Sequence, residues 1–204
     1  MLLKRVGRFF FDTLFFRVFC RKQYAELDKF KSVIYYETEP ERYLNDFQKP
    51  GTKHELNLKN FALCYSYGRG NNNFDHVYSD APYTLVLTYK KDGASEVEAN
   101  EDEEVACIGF ELVNRSTILV KQIQGVSGKL AILQHFRWGK MLLKVVMDWA
   151  KNAGFKTVRV IKAESSKWYR EYRAKDFFIR YDVTARRSGF KFDEKDQTYV
   201  RILA

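Results

Sequence analysis

Apolar positions along the first twenty residues recur at helical spacing and then lose it. Leu2, Leu3, Val6, Phe9, Phe10 and Leu14 gather on one side of a helix over residues 2–14, with Lys4, Arg5, Arg8 and Asp12 opposite. Beyond Leu14 the face is lost, because Phe15, Phe16 and Phe19 scatter around the axis. Residues 32–37 (SVIYYE) then read as a strand from their β-branched and aromatic content, and Pro40 opens a short helix, ERYLNDF. A second strand, FALCYSY, covers 61–67 and runs into the loop Gly68-Arg69-Gly70-Asn71-Asn72-Asn73. From Tyr83 the pattern becomes a meander of antiparallel strands at 83–89, 105–113 and 117–124, the last two joined by the tight turn Asn114-Arg115-Ser116. Residues 93–104 between the first two form an acidic loop holding Glu96, Glu98, Glu101, Asp102, Glu103 and Glu104. The clearest helix spans 138–153, with Met141, Leu142, Val145, Val146 and Trp149 at its period and Gly154 as its stop. A strand at 155–163 follows at once. After it come a charged aromatic stretch (167–180), a helix from about Tyr181 to Arg187, the pair Gly189-Phe190 and a last strand at 198–203.

Strands paired mostly through short connections, with helices between some of them, predict a mixed α+β domain over residues 31–204 and set residues 1–30 apart as an aromatic, amphipathic segment. That segment fits two roles: core or partner-covering structure, or a membrane-surface helix or acyl-binding element. Asp12 and Arg17 interrupt its apolar run and no small-residue cleavage site follows, unlike a signal peptide. Its longest uncharged stretch is also far short of a membrane span.

Charge adds a preference for anions. Thirty-five Lys and Arg against 26 Asp and Glu give +9 and a pI near 9.3, a balance that attracts nucleic acid, an anionic membrane face or a polyanionic cofactor. Cys20, Cys64 and Cys107 lie far apart and form no CxxC pair, which argues against a disulfide framework or a zinc site and fits a reducing cytoplasm. The Gly68–Asn73 loop lacks the Lys-Ser/Thr pair of a P-loop and reads as a solvated turn. The acidic run has no fixed glycine turn to fold its carboxylates around a metal. Ser-His-Asp order, HExxH, a glycosidase carboxylate pair and GxGxxG are all absent.

The chemistry concentrates between Thr117 and Gly154. A strand runs into the turn Gln134-His135-Phe136-Arg137-Trp138-Gly139 and then into the long helix. The first N–H groups of a helix have no internal partner and sit at its positive dipole end, so this arrangement is a candidate anion site for a phosphate-bearing cofactor.

This order of elements resembles the GNAT superfamily of N-acetyltransferases, best from about Tyr83 to the C-terminus. Gln134 and Gly139 match that family's Q/R-x-x-G-x-G/A pyrophosphate loop, while Arg137 stands where the first glycine belongs. The resemblance implies a GNAT-like central, mostly antiparallel, twisted sheet flanked by helices. It also implies a co-substrate, acetyl-CoA or another acyl-CoA, with no metal. Its phosphates would lie at Gln134, Arg137, Trp138, Gly139 and Lys140, and its pantetheine along the backbone of Val120, Gln122 and Gln124. Arg137 would pair with a phosphate through its guanidinium.

The family's close, a helix ending in Gly-Phe before the last strand, matches YDVTARRSGF. Many members carry a tyrosine five residues before that Phe, as proton donor to the departing thiolate. Here the position is Ala185, and Tyr181, one helical turn earlier, is the replacement. Glu111 and Glu164, near strand ends, are the candidate bases, each set against a plain surface or ion-paired role. Gln122 and Gln124 share a strand face and either line the cleft or bond solvent; His135 reads as a neutral loop residue.

The implied activity is acyl transfer to an amine on a small molecule or a protein, by a chain that can form homodimers. Three alternatives stand beside it. They are a GNAT-like module with altered catalysis, a transferase using a longer acyl-CoA or an acyl carrier protein, and nucleic-acid binding through Lys167, Trp168, Tyr169, Arg170, Tyr172, Arg173 and Lys175.

Overall fold

The computed structural model of the protein describes residues 21–28, 30, 35–36, 40–51, 56–68, 74–90 and 103–203. The amphipathic stretch at 2–14, the loop at 69–73 and residues 91–102 of the acidic run lie outside the described residues.

In chain order the elements are α1 (Arg21–Asp28), β1 (Tyr35–Tyr36), α2 (Pro40–Asp46), β2 (Phe61–Tyr67), β3 (Tyr83–Tyr89), β4 (Glu103–Asn114) and β5 (Thr117–Gly125). They continue with α3 (Leu130–Leu133), α4 (Trp138–Ala153), β6 (Thr157–Ile161), α5 (Ala174–Phe178), a π turn (Ile179–Val183), α6 (Thr184–Arg187), β7 (Lys191–Asp193) and β8 (Thr198–Ile202). The described strands form one sheet in the order β1-β2-β3-β4-β5-β6-β8-β7. Every neighbouring pair is antiparallel except β5 with β6, whose parallel pairing is made possible by the crossover through α3 and α4. The fold is therefore mixed α+β, a mostly antiparallel sheet flanked by helices, with the GNAT-like order of elements.

Helix α4 covers one face of the sheet. Met141, Leu142, Val145, Val146 and Trp149 are all buried, and the apolar stripe widens to take in Leu143, Met147, Ala150 and Ala153. Gly154 ends the helix at φ +89°, a left-handed conformation that costs a glycine nothing, and its N–H caps the carbonyls of Ala150 and Lys151. Under the helix, the Phe30 ring meets Tyr65, Tyr83, Phe110 and Trp149 edge-on at 4.7, 5.6, 5.5 and 5.3 Å. Leu27 of α1 joins the same core, so the last part of the 1–30 segment is packed into the domain. Helix α2 is tied to α4 by Tyr43 Oη, which donates to Asp148 Oδ2 at 3.0 Å.

A loop seals part of the sheet's other face. Cys64, Val86 and Cys107 stand side by side across β2, β3 and β4, and Phe74, Val77 and Val126 pack over them. Glu104 holds that loop down by accepting the N–H groups of Asp75 and His76 at 2.8 and 2.7 Å. Of the acidic run, then, Glu103 and Glu104 belong to β4 rather than to a loop. Glu103 pairs with Lys129 at 2.7 Å.

The helix expected at Tyr181–Arg187 starts earlier, at Ala174, so that part of the charged aromatic stretch is helical. Three elements, α1, α3 and β7, add to the expected set.

Candidate functional site

A bulge in β5 opens the sheet. Gly109 pairs with Gln122 and Phe110 with Val120, leaving Lys121 as the extra residue on β5. A bulge bends its strand, and the parallel pairing of β5 with β6 ends at the same point, at Val120 with Val160. Beyond it the two strands part.

Tyr181 fills the head of this split. Its hydroxyl accepts the Ile123 N–H at 3.2 Å, donates to the Lys121 carbonyl at 3.4 Å and lies 3.4 Å from Ser166 Oγ. A side-chain hydroxyl thus satisfies two β5 backbone groups that a continuing β6 would otherwise pair. The residue is 2% exposed. Burial pushes the phenol above its ordinary pKa, against the opposing pull of the Ser166 and Ile123 hydrogen bonds, so it stays protonated at neutral pH. By strand alternation the backbone groups of Ile123 and Gly125 face the same gap.

From the split a cleft of about 850 Å³ runs outward between two walls. One wall is β5 from Gln122 to Gly125, the Val126–Gly128 turn and the Trp138 indole. That indole lies so close over β5 that a Cβ on Gly125 would stand 3.3 Å from its Cζ2 and 2.9 Å from Leu133 Cδ1. The other wall is the segment from Trp168 to Tyr181, including Arg170, Arg173 and Arg180. Tyr181 lies in the π turn, where the Thr184 N–H reaches back five residues to the Ile179 carbonyl, a geometry often found at functional sites.

Behind the split lies Asp80, which no sequence pattern singles out. Its carboxylate is 7% exposed, its Oδ1 has no hydrogen-bond partner, and Lys167 Nζ stands 3.6 Å away. Gln122 sets this position: 1% exposed, it accepts the Asp80 N–H at 2.9 Å and donates to the Tyr78 carbonyl at 2.7 Å and to Gln124 Oε1 at 2.6 Å. Asp80 opens on a smaller cavity of about 290 Å³, shared with Lys121, Ser165 and Lys167. It is also close enough to Tyr181 to act on that phenol's charge. The pairing is invisible in sequence because a glutamine in β5 fixes a loop residue 42 positions before it.

The other sequence candidates are dispersed. Val120 is buried in the core, while Gln122, Gln124 and Trp138 line the large cleft. Gln134, Arg137, Gly139 and Lys140 are not among the cleft's lining residues. The turn that carries them is bound to the segment after α2. Arg137 N–H donates to the Phe47 carbonyl at 2.9 Å, His135 O accepts the Lys49 N–H at 3.0 Å, and Gln48 bridges to Phe136. Gln134 turns its amide to the Ala131 carbonyl at 3.2 Å, and Lys140 sits over the Phe47 ring at 5.8 Å. Gly139 faces Ile123 and Thr184, where a Cβ would stand 3.4 and 3.7 Å from their side chains. Ala185 is fully buried.

Glu111 pairs with Lys121 at 3.3 Å. Glu164 pairs with Lys162 at 3.3 Å and borders a separate cavity of about 500 Å³ with Lys175, Asp182 and Arg186. The 167–175 cluster is divided among these sites: Trp168, Arg170, Tyr172 and Arg173 line the large cleft, Lys167 the Asp80 cavity and Lys175 the third. Among the described residues no three His, Cys, Asp or Glu side chains converge as a metal site, and no helix is long and apolar enough to cross a membrane.

No protein-family model matches the chain, and no curated protein matches it in sequence. Two solved structures are similar at a distance. One is Ard1 from Thermoplasma volcanium, 14% identical with a TM-score of 0.34, over 58% of this chain and 70% of that one. The other is a domain from Methanocaldococcus jannaschii DSM 2661, 13% identical with a TM-score of 0.37, over 82% of this chain and 94% of that one. Both likenesses are too remote to assign a family.

Proposed function

We propose that the protein transfers an acyl group, most simply acetyl, from a coenzyme A thioester to an amine. The observation that carries this reading is the split between β5 and β6 with the Tyr181 hydroxyl at its head. An extended amide-bearing arm fits such a gap, because beyond the Ile123 N–H that Tyr181 takes, the Ile123 carbonyl and the Gly125 backbone face it with the hydrogen bonds of a missing strand. The cleft leading out has room for the rest of the donor.

In this reading the donor enters from the large cleft and the amine from the cavity in front of Asp80. The amine nitrogen attacks the thioester carbonyl, a C–N bond forms, and the C–S bond breaks. Asp80 takes the proton that the nitrogen loses, directly or through one water. Tyr181, kept protonated by its burial, gives its proton to the departing sulfur. Gln122 positions Asp80 by accepting its N–H. Glu111 and Glu164 are held in ion pairs with Lys121 and Lys162 and take no part in this exchange.

Calorimetric titration with acetyl-CoA, followed by thiol release in the presence of a panel of amines, tests the proposal. Micromolar binding and amine-dependent release are expected. A folded protein that binds neither acetyl-CoA nor longer acyl-CoAs would overturn it. A second reading, a GNAT-like binding module with altered catalysis, is favoured by the pairing of the 135–137 turn with residues 47–49, which takes the Arg137 N–H that a phosphate could use.

A further inference from the structure

We infer that the phosphates of the ligand are held by Arg173 and Arg180, on the wall opposite the turn before α4. The identity of that ligand as a coenzyme A thioester rests on the function proposed above; the arginine site does not.

The turn's polar side chains do not line the cleft. Gln134, Arg137 and Lys140 are absent from its walls: the Gln134 amide is folded onto the Ala131 carbonyl, the Lys140 ammonium is on the Phe47 ring, and the Arg137 N–H is bonded to the Phe47 carbonyl, so what the turn keeps for an anion is the helix-start N–H groups of Trp138, Gly139 and Lys140. The facing wall offers guanidinium groups instead. Arg180 is half-buried, its guanidinium 5.9 Å from the Phe177 ring centroid, and both its burial and the neighbouring Arg173 lower its pKa. Arg173 is exposed and Asp176 offsets part of the charge on Arg180, so the half-buried Arg180 and the exposed Arg173 together leave a net positive pair on this wall that an anion would complete. Asp176 approaches Arg173 at Nε, at 3.7 Å, beyond hydrogen-bond distance, so the guanidinium has donors to give a phosphate. Arg170 is different: its Nη1 donates to the Tyr169 and Lys167 carbonyls at 2.8 and 3.5 Å, so it braces the wall.

The rim supports the same ligand class. Tyr172 is 84% exposed and Trp168 37% exposed, both lining this cleft beside the arginines. A phosphate ester that continues into a flat heterocycle would find charge first and an aromatic face next.

The test is calorimetry on the full chain with coenzyme A, pantetheine and inorganic pyrophosphate. It compares wild type, the Arg173→Ala/Arg180→Ala double variant and the Arg137→Ala/Lys140→Ala double variant, each checked for an unchanged thermal midpoint. Pyrophosphate displacement on wild type, followed through tryptophan fluorescence, needs no variant and guards against one that does not fold. Expected are coenzyme A and pyrophosphate affinities at least tenfold weaker in the Arg173/Arg180 variant. Pantetheine binding should be unchanged by it, and the Arg137/Lys140 variant should lose less. Pyrophosphate binding lost in the Arg173/Arg180 variant, with no coenzyme A binding by wild type, would uphold the arginine site and sink the acyl-donor reading. Coenzyme A bound equally well without Arg173 and Arg180, or lost mainly with Arg137 and Lys140, would overturn the arginine site and leave the donor reading standing. Failure of folded wild type to bind either phosphate compound overturns both.

Discussion

The two walls of the cleft are built on opposite plans. The β5 wall takes its shape from the sheet and from α4. Its side chains are committed to packing or to the Gln122 latch, and what it offers a ligand is backbone. The facing wall, from Trp168 to Tyr181, passes through a 3₁₀ turn at Glu171–Arg173, α5 and a π turn. What it offers is arginine, tryptophan and tyrosine side chains. An anion site can be made from orphan amides at a helix start or from guanidinium groups. Here the turn gives its Arg137 N–H to the segment after α2, and the guanidinium groups of Arg173 and Arg180 line the cleft. A sequence signature for phosphate and the place where phosphate can be held need not coincide.

The division between a scaffold wall and a chemical wall can be probed in steps. Trp149→Ala, beneath the first wall, should cost about 3–5 kcal/mol of stability in a denaturant titration, as expected for an aromatic removed from a packed core. A loss under about 1 kcal/mol would mean that α4 does not anchor that wall. Tyr181→Phe, on the second wall, removes one hydroxyl and should slow acyl transfer about 100-fold, at the lower end of what a proton donor contributes. Coenzyme A binding should change little, and unimpaired turnover would remove Tyr181 from the chemistry.

Gln122→Leu links the walls to the base. It strips the Asp80 N–H and the Tyr78 carbonyl of their partner and should cost about 1–3 kcal/mol, with faster hydrogen exchange at the Asp80 amide. An unchanged exchange rate there would mean that the loop is held from elsewhere.

The smallest effect is alkaline. Burial, and then the Asp148 carboxylate, push Tyr43 from 10.0 to about 12. The unfolded chain therefore loses this proton first, and stability falls as pH rises from about 10 toward 12. Urea midpoints across that range should decline less steeply for Tyr43→Phe than for wild type. Equal slopes would show that the Asp148 contact does not persist in solution.

Periodicity made the scaffold wall legible. The α4 stripe, Gly154 and the alternating strands of the meander are local patterns, and the strands at 61–67 and 83–89 stand where their residues indicate. The chemical wall was hard to read because 3₁₀, α and π turns each have a different period, so its aromatic and charged residues fit no single one. Four-residue α3 and three-residue β7 are too short to carry a period at all. Asp80 was hidden for another reason: its burial is a tertiary property, imposed by Gln122 from a distant strand.

The π turn gives this architecture a phase shift. A helix fixes the direction of each side chain from that of its neighbours, about 100° per residue. One extra residue in a turn breaks that arithmetic, and the helix before it and the helix after it keep independent settings. Ala185 is packed away just after the shift, and Tyr181, within it, reaches into the split. Under the acyl-transfer reading proposed above, a proton-donating tyrosine can therefore move by a whole turn while the rest of the helix keeps its seat.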